Sequence, residues 1–247
     1  MQVQEEKKRS RNFISSLFSR VRAYELSILL ASALAAGGVW MFVEIADEVF
    51  EGKTSGLDEA ILLSLRNPAD VSDPIGPFWF EEVMRDFTSL GGTAILVAIS
   101  LAVLGFLLLQ KKWRMGVFTV AAVSGGFLLS STLKRFFDRP RPDIVPHSTY
   151  VMTASFPSGH SMLSAVVFLT LGGLLARYIS NRRLKIYVLT LAVLTTITVG
   201  CSRVYLGVHW PTDVLAGWTA GASWALVCWM VALLLQRRGQ VEEELED

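Results

Sequence analysis

Residues 87–110 read FTSLGGTAILVAISLAVLGFLLLQ and contain no Asp, Glu, Lys or Arg. An apolar stretch of about 20 residues is long enough to cross a bilayer as a helix. Five further runs share this lack of charge, and no proline falls inside any of the six. They cover residues 26–43, 115–133, 161–176, 186–202 and 214–236. The pattern predicts an all-α integral membrane fold, a bundle of six transmembrane helices.

The composition agrees with a membrane protein. Charged residues make up 18% of the 247 residues and apolar residues 52%, whereas an ordinary globular domain has about 25% charged residues. Disordered and disulfide-framework proteins are excluded, and a soluble α/β enzyme is a distant alternative. The two cysteines lie in apolar runs without metal or redox spacing, so we interpret them as packing residues. The net charge of +1 argues against a nucleic-acid partner.

The sequence predicts a single membrane domain over 1–247. A basic arm over 1–23 precedes the first helix, and a short acidic tail over 237–247 follows the last. The predicted transmembrane helices are 24–46, 88–110, 115–136, 158–177, 185–204 and 211–236.

Lys and Arg predict the orientation of these helices. Fifteen of the 23 lie in the N-terminal arm, the 111–114 and 177–185 loops and the C-terminal tail, against eight on the other side. Because cytoplasmic loops carry the excess of basic residues, both termini are predicted in the cytoplasm and the 44–86 loop outside. Two amphipathic patterns in this loop predict short surface helices. Their apolar positions are Leu57, Ile61 and Leu65, and then Phe80, Val83, Met84 and Phe87.

The chemistry-bearing residues gather on the predicted outer side. All three histidines of the chain fall there, together with five of the eight outer basic residues, at 134–141 and at 203. Cations and histidines that converge on one face indicate an anion site with acid–base capacity.

Three stretches define this site. KRFFDRPRP over 134–142 concentrates cations at a helix end, although basic residues also snorkel to a head-group boundary. PSGHS over 157–161 opens a helix whose free N–H groups can bind a phosphate oxygen, or is an ordinary N-cap. SRVYLGVHWPTD over 202–213 places His209 just before a helix and Asp213 in its first turn. The carboxylate can then hold one imidazole nitrogen while the other attacks, or the two form a structural pair.

Together the three stretches resemble the signature motifs of the type-2 phosphatidic acid phosphatase superfamily. In this chain the motifs are Lys134-x6-Arg141-Pro142, Pro157-Ser158-Gly159-His160 and Ser202-Arg203-x5-His209-x3-Asp213. Eleven fixed positions match, in order and with suitable gaps, and the six-helix layout extends the similarity to nearly the whole chain.

The resemblance implies a role for each matching residue. His209 is the nucleophile that forms a phospho-histidine, Asp213 orients it, and His160 protonates the leaving alkoxide and then activates water. The residues implied to hold the phosphoryl oxygens are Lys134, Arg141, Ser158, Gly159 and Arg203. The residues agree with this, because fixed cations and amides stabilise a phosphoryl transition state. No Asp, Glu or His cluster has metal-ligand spacing, so neither metal nor cofactor is predicted.

The resemblance implies an enzyme that hydrolyses a phosphate or pyrophosphate monoester of a membrane lipid at the extracytoplasmic face, by analogy in a bacterial cytoplasmic membrane. Alternatives are a lipid-to-lipid phosphotransferase and a non-catalytic lipid-binding or transport protein. Vanadium haloperoxidases share the motifs but are soluble. Candidate substrates are undecaprenyl pyrophosphate, phosphatidylglycerol phosphate, phosphatidic acid and a lipid A phosphate. The sequence does not predict the choice among them or the oligomeric state.

Four further residues of this region have no implied role. Arg135, Asp138 and Arg139 lie between the signature positions, where we interpret them as an exposed, interfacial ion-pair set rather than as substrate contacts. His147, in the 143–156 loop, has no predicted function.

Overall fold

The computed structural model describes residues 2–144 and 154–241, with side chains from Glu25 onward. The described chain is helical apart from loops and one small hairpin, as the sequence predicts. The elements are α1 (Gln2–Phe50), α2 (Ser55–Ser64), β1 (Arg66–Asn67), β2 (Asp70–Pro74), α3 (Phe78–Leu90), α4 (Thr93–Leu109), α5 (Trp113–Phe137), α6 (Gly159–Ser164), a π-helical segment (Ala165–Leu169), α7 (Thr170–Arg177), α8 (Arg182–Tyr205) and α9 (Pro211–Arg237).

Five helical stretches of the described chain are long and apolar enough to cross a membrane. A sixth is a bent pair, because α3 and α4 meet at 51°. The bend corrects the prediction of one helix over 88–110: α3 ends at Leu90, and α4 begins at Thr93. Gly91 and Gly92 separate the two helices, and glycine is a poor residue for a helix interior.

The predicted surface helices of the first long loop are α2 and α3, and the hairpin β1–β2 joins them. The structure shows which face of α2 packs against the bundle. Leu57 and Ile61 are exposed, whereas Asp58 and Leu62 are fully buried. The face that α2 buries against the bundle therefore includes a carboxylate, which an apolar pattern does not reveal.

The segment from α6 to α7 forms the centre of the bundle. In its most apolar window 61% of the residues are buried, compared with 11% for Glu25–Phe50 of α1. Small residues on α9 allow the close approach: a Cβ added at Gly217 would lie 2.8 Å from the Ser158 carbonyl oxygen. The N-terminal ends of α6 and α9 are consequently held side by side.

The two ends of the chain are described in part. The backbone of α1 continues to Gln2, so the predicted basic arm is helical rather than separate from the first helix. The acidic residues over 242–247 lie outside the described part of the chain, as does His147.

Candidate active site

His209 and Asp213 meet at the N-terminal end of α9. A Schellman turn ends α8: the Val208 N–H donates to the Arg203 carbonyl, and Gly207 adopts a φ of 71° that favours glycine. This turn directs the chain back toward the bundle and delivers His209 just before Pro211, the first residue of α9. His209 Nδ1 lies 3.3 Å from Asp213 Oδ2, and both side chains are buried.

Four donors surround the Asp213 carboxylate. Oδ2 accepts hydrogen bonds from the Trp210 N–H at 3.0 Å and from the Ser155 hydroxyl, in addition to its contact with His209. Oδ1 accepts from the Arg139 guanidinium at 2.7 Å. Bonds of this kind favour the ionised carboxylate and fix its orientation. The carboxylate that faces His209 Nδ1 is thus held in place by three further hydrogen-bond donors.

Ser158 begins α6 and connects it to α9. The Ser158 hydroxyl accepts a hydrogen bond from the Ser161 hydroxyl at 3.0 Å, and the Ser158 backbone N–H donates to the Asp213 carbonyl at 2.9 Å. Gly159 follows without a side chain, and a Cβ there would lie 3.0 Å from Lys134 Cε. The absence of a side chain therefore lets the Lys134 side chain pass close to the start of α6.

Arg141 lies on the Nε2 side of the imidazole, and two further cations, Lys134 and Arg203, interact electrostatically with Arg141. Arg141 Nη1 lies 3.1 Å from His209 Nε2 and donates to the Val208 carbonyl at 2.7 Å. Lys134 Nζ donates to the Ala154 carbonyl at 2.8 Å. Arg203 is buried, its Nη1 donates to the Thr88 hydroxyl at 3.0 Å, and its Nε has no hydrogen-bond partner among the described residues.

His160 lies in the first turn of α6 within reach of these cations. The charges that act on it are those of Arg203, Lys134 and Arg141. Gly91 provides its packing surface, since a Cβ at Gly91 would lie 3.3 Å from His160 Cβ. The break between α3 and α4 therefore borders the site.

Burial determines the protonation state of His209. Desolvation lowers its pKa from 6.5 to about 3, and the Asp213 carboxylate opposes this shift without cancelling it. Desolvation also lowers the pKa of Arg141, although a guanidinium stays charged at neutral pH. His209 is therefore a neutral imidazole that donates from Nδ1 and keeps a lone pair on Nε2, next to a guanidinium.

The structure brings the eight predicted site residues into one region. His209 contacts both Asp213 and Arg141. A second contact group is formed by Ser158, Gly159 and Lys134, and the Ser158 N–H joins this group to the Asp213 carbonyl. Electrostatic interactions connect Arg203 and His160 to the same cations. Arg135 and Asp138 are exposed, as predicted.

The interpretation of Arg139 as part of an exposed ion-pair set is wrong. Its side chain is only 15% exposed and makes ion pairs with two fully buried carboxylates, Asp58 and Asp213. Sequence reasoning also missed Ser155, Thr212 and Asp58. Ser155 and Thr212 adjoin the motifs, and Asp58 carries the weak signal of an acid inside an apolar helical pattern.

These features define a class of protein: a membrane-embedded helical bundle with a buried His–Asp pair and a cluster of cations at the helix ends. The family model of the PAP2 superfamily matches residues 113–237. The chain is 32% identical over 187 residues to phosphatidylglycerophosphatase B of Bacillus subtilis, covering 73% of this chain and 85% of the relative. It is 30% identical over 123 residues to the undecaprenyl-diphosphatase of Sulfolobus acidocaldarius, covering 48% and 55%.

A solved structure agrees with these similarities. The crystal structure of a transmembrane PAP2-type phosphatidylglycerolphosphate phosphatase from Bacillus subtilis aligns with a TM-score of 0.72 at 28% identity, covering 82% of this chain and 98% of that one. The chain belongs to the PAP2 superfamily. It is an integral membrane enzyme of the lipid phosphatase class.

Proposed function

We propose that this chain hydrolyses the phosphate or pyrophosphate monoester of a membrane lipid through a phospho-histidine at His209. The observation that carries the proposal is the environment of the imidazole. Nδ1 lies 3.3 Å from the Asp213 carboxylate, and Nε2 lies 3.1 Å from Arg141 Nη1. Asp213 holds Nδ1, while Nε2 keeps its lone pair and adjoins Arg141, a proposed phosphate-binding residue. Nucleophilic catalysis requires an arrangement of this kind.

In the first step His209 Nε2 attacks phosphorus. The Nε2–P bond forms as the bond from phosphorus to the lipid oxygen breaks, and His160 gives its proton to the departing oxygen. The imidazole becomes positively charged, and the Asp213 carboxylate stabilises that charge through Nδ1–H. The lipid alcohol, or the lipid monophosphate from a pyrophosphate, is the first product.

In the second step water releases the phosphate. His160, now neutral, accepts a proton from water, whose oxygen attacks phosphorus as the Nε2–P bond breaks. Inorganic phosphate leaves and both histidines return to their starting states. The same group serves as acid and then as base, as microscopic reversibility requires.

Lys134, Arg141 and Arg203 balance the phosphoryl charge in both steps, with the Ser158 hydroxyl and the N–H of Gly159. Arginine suits this task because its planar fork donates two hydrogen bonds to one phosphate. The stabilisation requires no metal, so activity is expected to persist in excess EDTA. A strict divalent-metal requirement would contradict this part of the proposal.

The site faces the extracytoplasmic side in this proposal, with both termini in the cytoplasm of a bacterial cell. The excess of basic residues in the loops opposite the site supports this orientation. In a Cys201→Ser/Cys228→Ser background, a membrane-impermeant maleimide added to intact cells should label Glu59→Cys and not Arg183→Cys. The reverse labelling would place the site in the cytoplasm.

The proposed substrate class follows the chemistry of the site and the names of the relatives. Phosphatidylglycerol phosphate, undecaprenyl pyrophosphate, phosphatidic acid and a lipid A phosphate all present a terminal phosphate at head-group depth. Purified protein assayed on the four lipids in one detergent ranks them by kcat/KM. If the protein hydrolyses none of the four lipids, the proposed substrate class is wrong.

The decisive test replaces the nucleophile. His209→Ala should lose phosphate release by a factor on the order of 10⁴ or more, and it should take up no label from a ³²P-labelled lipid. His160→Ala should also lose phosphate release, because this residue serves as the acid of the first step and as the base of the second. Arg135→Gln, an exposed neighbour of the site, is the matched control and should behave as wild type.

The products separate the alternatives. A lipid-to-lipid phosphotransferase would move the label to an acceptor lipid instead of releasing inorganic phosphate. A non-catalytic lipid-binding protein would show neither product nor label, and the proposal would then be wrong. Unchanged activity of His209→Ala would refute the mechanism while leaving the enzyme class intact.

A further inference from the structure

Asp58 of α2 reaches the N-terminal end of α9, 154 residues further along the chain. Its Oδ1 accepts the Thr212 N–H at 3.0 Å, and its Oδ2 accepts the Thr212 hydroxyl at 2.6 Å. The side chain is fully buried. Because the first N–H groups of a helix have no partner within it, Asp58 caps α9 from a different helix, one residue before the Asp213 position.

Arg139 connects this carboxylate to the active-site pair. One guanidinium nitrogen donates to Asp58 Oδ2 at 2.8 Å, and the other donates to Asp213 Oδ1 at 2.7 Å and to the Thr212 hydroxyl at 2.9 Å. The guanidinium thus lies between two buried carboxylates. Its backbone participates as well, since the Arg139 carbonyl accepts the Ser155 N–H at 2.8 Å.

The charges explain why two carboxylates share one cation. An arginine paired only with Asp213 would neutralise the negative charge that His209 needs when it becomes a phospho-imidazolium. Asp58 supplies a second negative charge to the guanidinium, so the buried group of three carries a net charge of −1. The carboxylate of Asp213 then stays both fixed in place and electrostatically available to His209.

We propose that Asp58 and Arg139 are positioning residues for the Asp213–His209 pair, and that α2 is therefore part of the catalytic unit. This inference rests on the proposed function. Neither residue contacts the phosphate; each acts through Asp213. Losing either one should slow the chemical step, with little effect on the binding of a lipid phosphate by the cations on the other side of the imidazole.

The first experiment measures kcat and KM for phosphate release in detergent micelles. Asp58→Asn and Arg139→Gln should each lower kcat by about 10- to 100-fold, by analogy with the loss of groups that orient histidine ligands at metal sites. KM should stay within about threefold. Glu59→Gln, the exposed neighbour on α2, and Arg135→Gln are the matched controls and should keep the wild-type kcat.

A double-mutant cycle distinguishes positioning through Arg139 from the capping of α9. If Asp58 acts through Arg139, adding Asp58→Asn to Arg139→Gln should lower kcat by less than about threefold more. Multiplicative losses would assign the Asp58 effect to helix capping and overturn the proposal. Arg139→Lys keeps the charge but presents a single ammonium instead of a planar fork, so it should lower kcat. This variant keeps the positioning role testable if Asp58→Asn or Arg139→Gln folds poorly.

The outcomes separate this inference from the function on which it rests. If His209→Ala stays active, the proposed phospho-histidine mechanism fails whatever the other variants do. If His209→Ala is inactive while Asp58→Asn, Arg139→Gln and Arg139→Lys keep the wild-type kcat, the function stands and the positioning role is refuted.

Discussion

The two nitrogens of His209 face opposite environments. On the Nδ1 side the acceptors are Asp213 and, behind it, Asp58, and their contacts with His209 and Arg139 are 2.7 to 3.3 Å long. On the Nε2 side lies Arg141, and two further cations, Lys134 and Arg203, are close enough to it for the three to repel one another. Like charges gathered in a buried place are costly unless an anion joins them. In the proposed mechanism one side holds the imidazole and the other receives the phosphoryl group.

The largest separate effect should come from the Nδ1 side. Asp213→Asn keeps the shape of the side chain but replaces the carboxylate that holds Nδ1–H, so kcat should fall by a factor on the order of 10³ to 10⁴. Inhibition by inorganic phosphate, which depends on the cations, should change by less than about threefold. A comparable loss of phosphate inhibition would show that the two sides are not separable.

The next effect should come from the Nε2 side. Arg203→Gln removes a buried cation, and we expect kcat/KM to fall by about 10²- to 10³-fold, as when one preorganised donor to a developing charge is lost. Inhibition by inorganic phosphate should weaken in parallel. Wild-type phosphate inhibition in this variant would remove Arg203 from the anion site.

A smaller effect tests whether the two sides depend on the packing of α6 against α9. An added methyl group in Gly217→Ala would meet the Ser158 carbonyl oxygen and Ser161 Cβ at 2.8 and 2.9 Å. Overpacking of this kind costs about 1–3 kcal/mol, so the thermal midpoint and the activity should both fall. Gly105→Ala on α4, where no neighbouring atom of the described residues lies within 4 Å, is the control and should keep the wild-type activity with an equal or higher thermal midpoint.

The smallest effect concerns pH. The pKa of His209 is about 3 in the folded protein, against 6.5 for an ordinary histidine, so only the unfolded chain gains a proton at this position between these values. The contribution of the neutral His209 to the free energy of unfolding is therefore fully present above pH 6.5, and it falls as the pH decreases. Between pH 7.5 and 5.5 the wild type should lose about 1.4 kcal/mol more than His209→Gln, measured by denaturation in detergent.

The sequence predicted the helices, and the structure brings the predicted site residues together, but the sequence did not predict how these residues are held. His209 and Asp213 are four residues apart at a helix start, so local geometry decides their meeting. The contacts of Asp58 with Arg139 and Thr212 join residues 81 and 154 positions apart. No local pattern encodes such a pair, and the apolar period of α2 does not include Asp58.

The bend between α3 and α4 shows a similar limit. Residues 87–110 satisfy the criterion of length and apolarity for a single helix, yet Gly91 and Gly92 break it. Hydropathy measures whether a segment can lie in a bilayer, and a glycine pair does not alter that. It does alter the backbone, and Gly91 thereby comes to lie against His160.

The π-helical segment Ala165–Leu169 divides the central span into two halves. Each residue of an α-helix advances the chain by about 100° around the axis, so one residue more or fewer in this segment rotates one half against the other. A single-residue deletion here would leave a span of nearly unchanged length and hydropathy, able to insert as before. It would nevertheless turn Ser158 and His160 away from their present neighbours, so membrane insertion and enzymatic competence are separately encoded within one transmembrane segment.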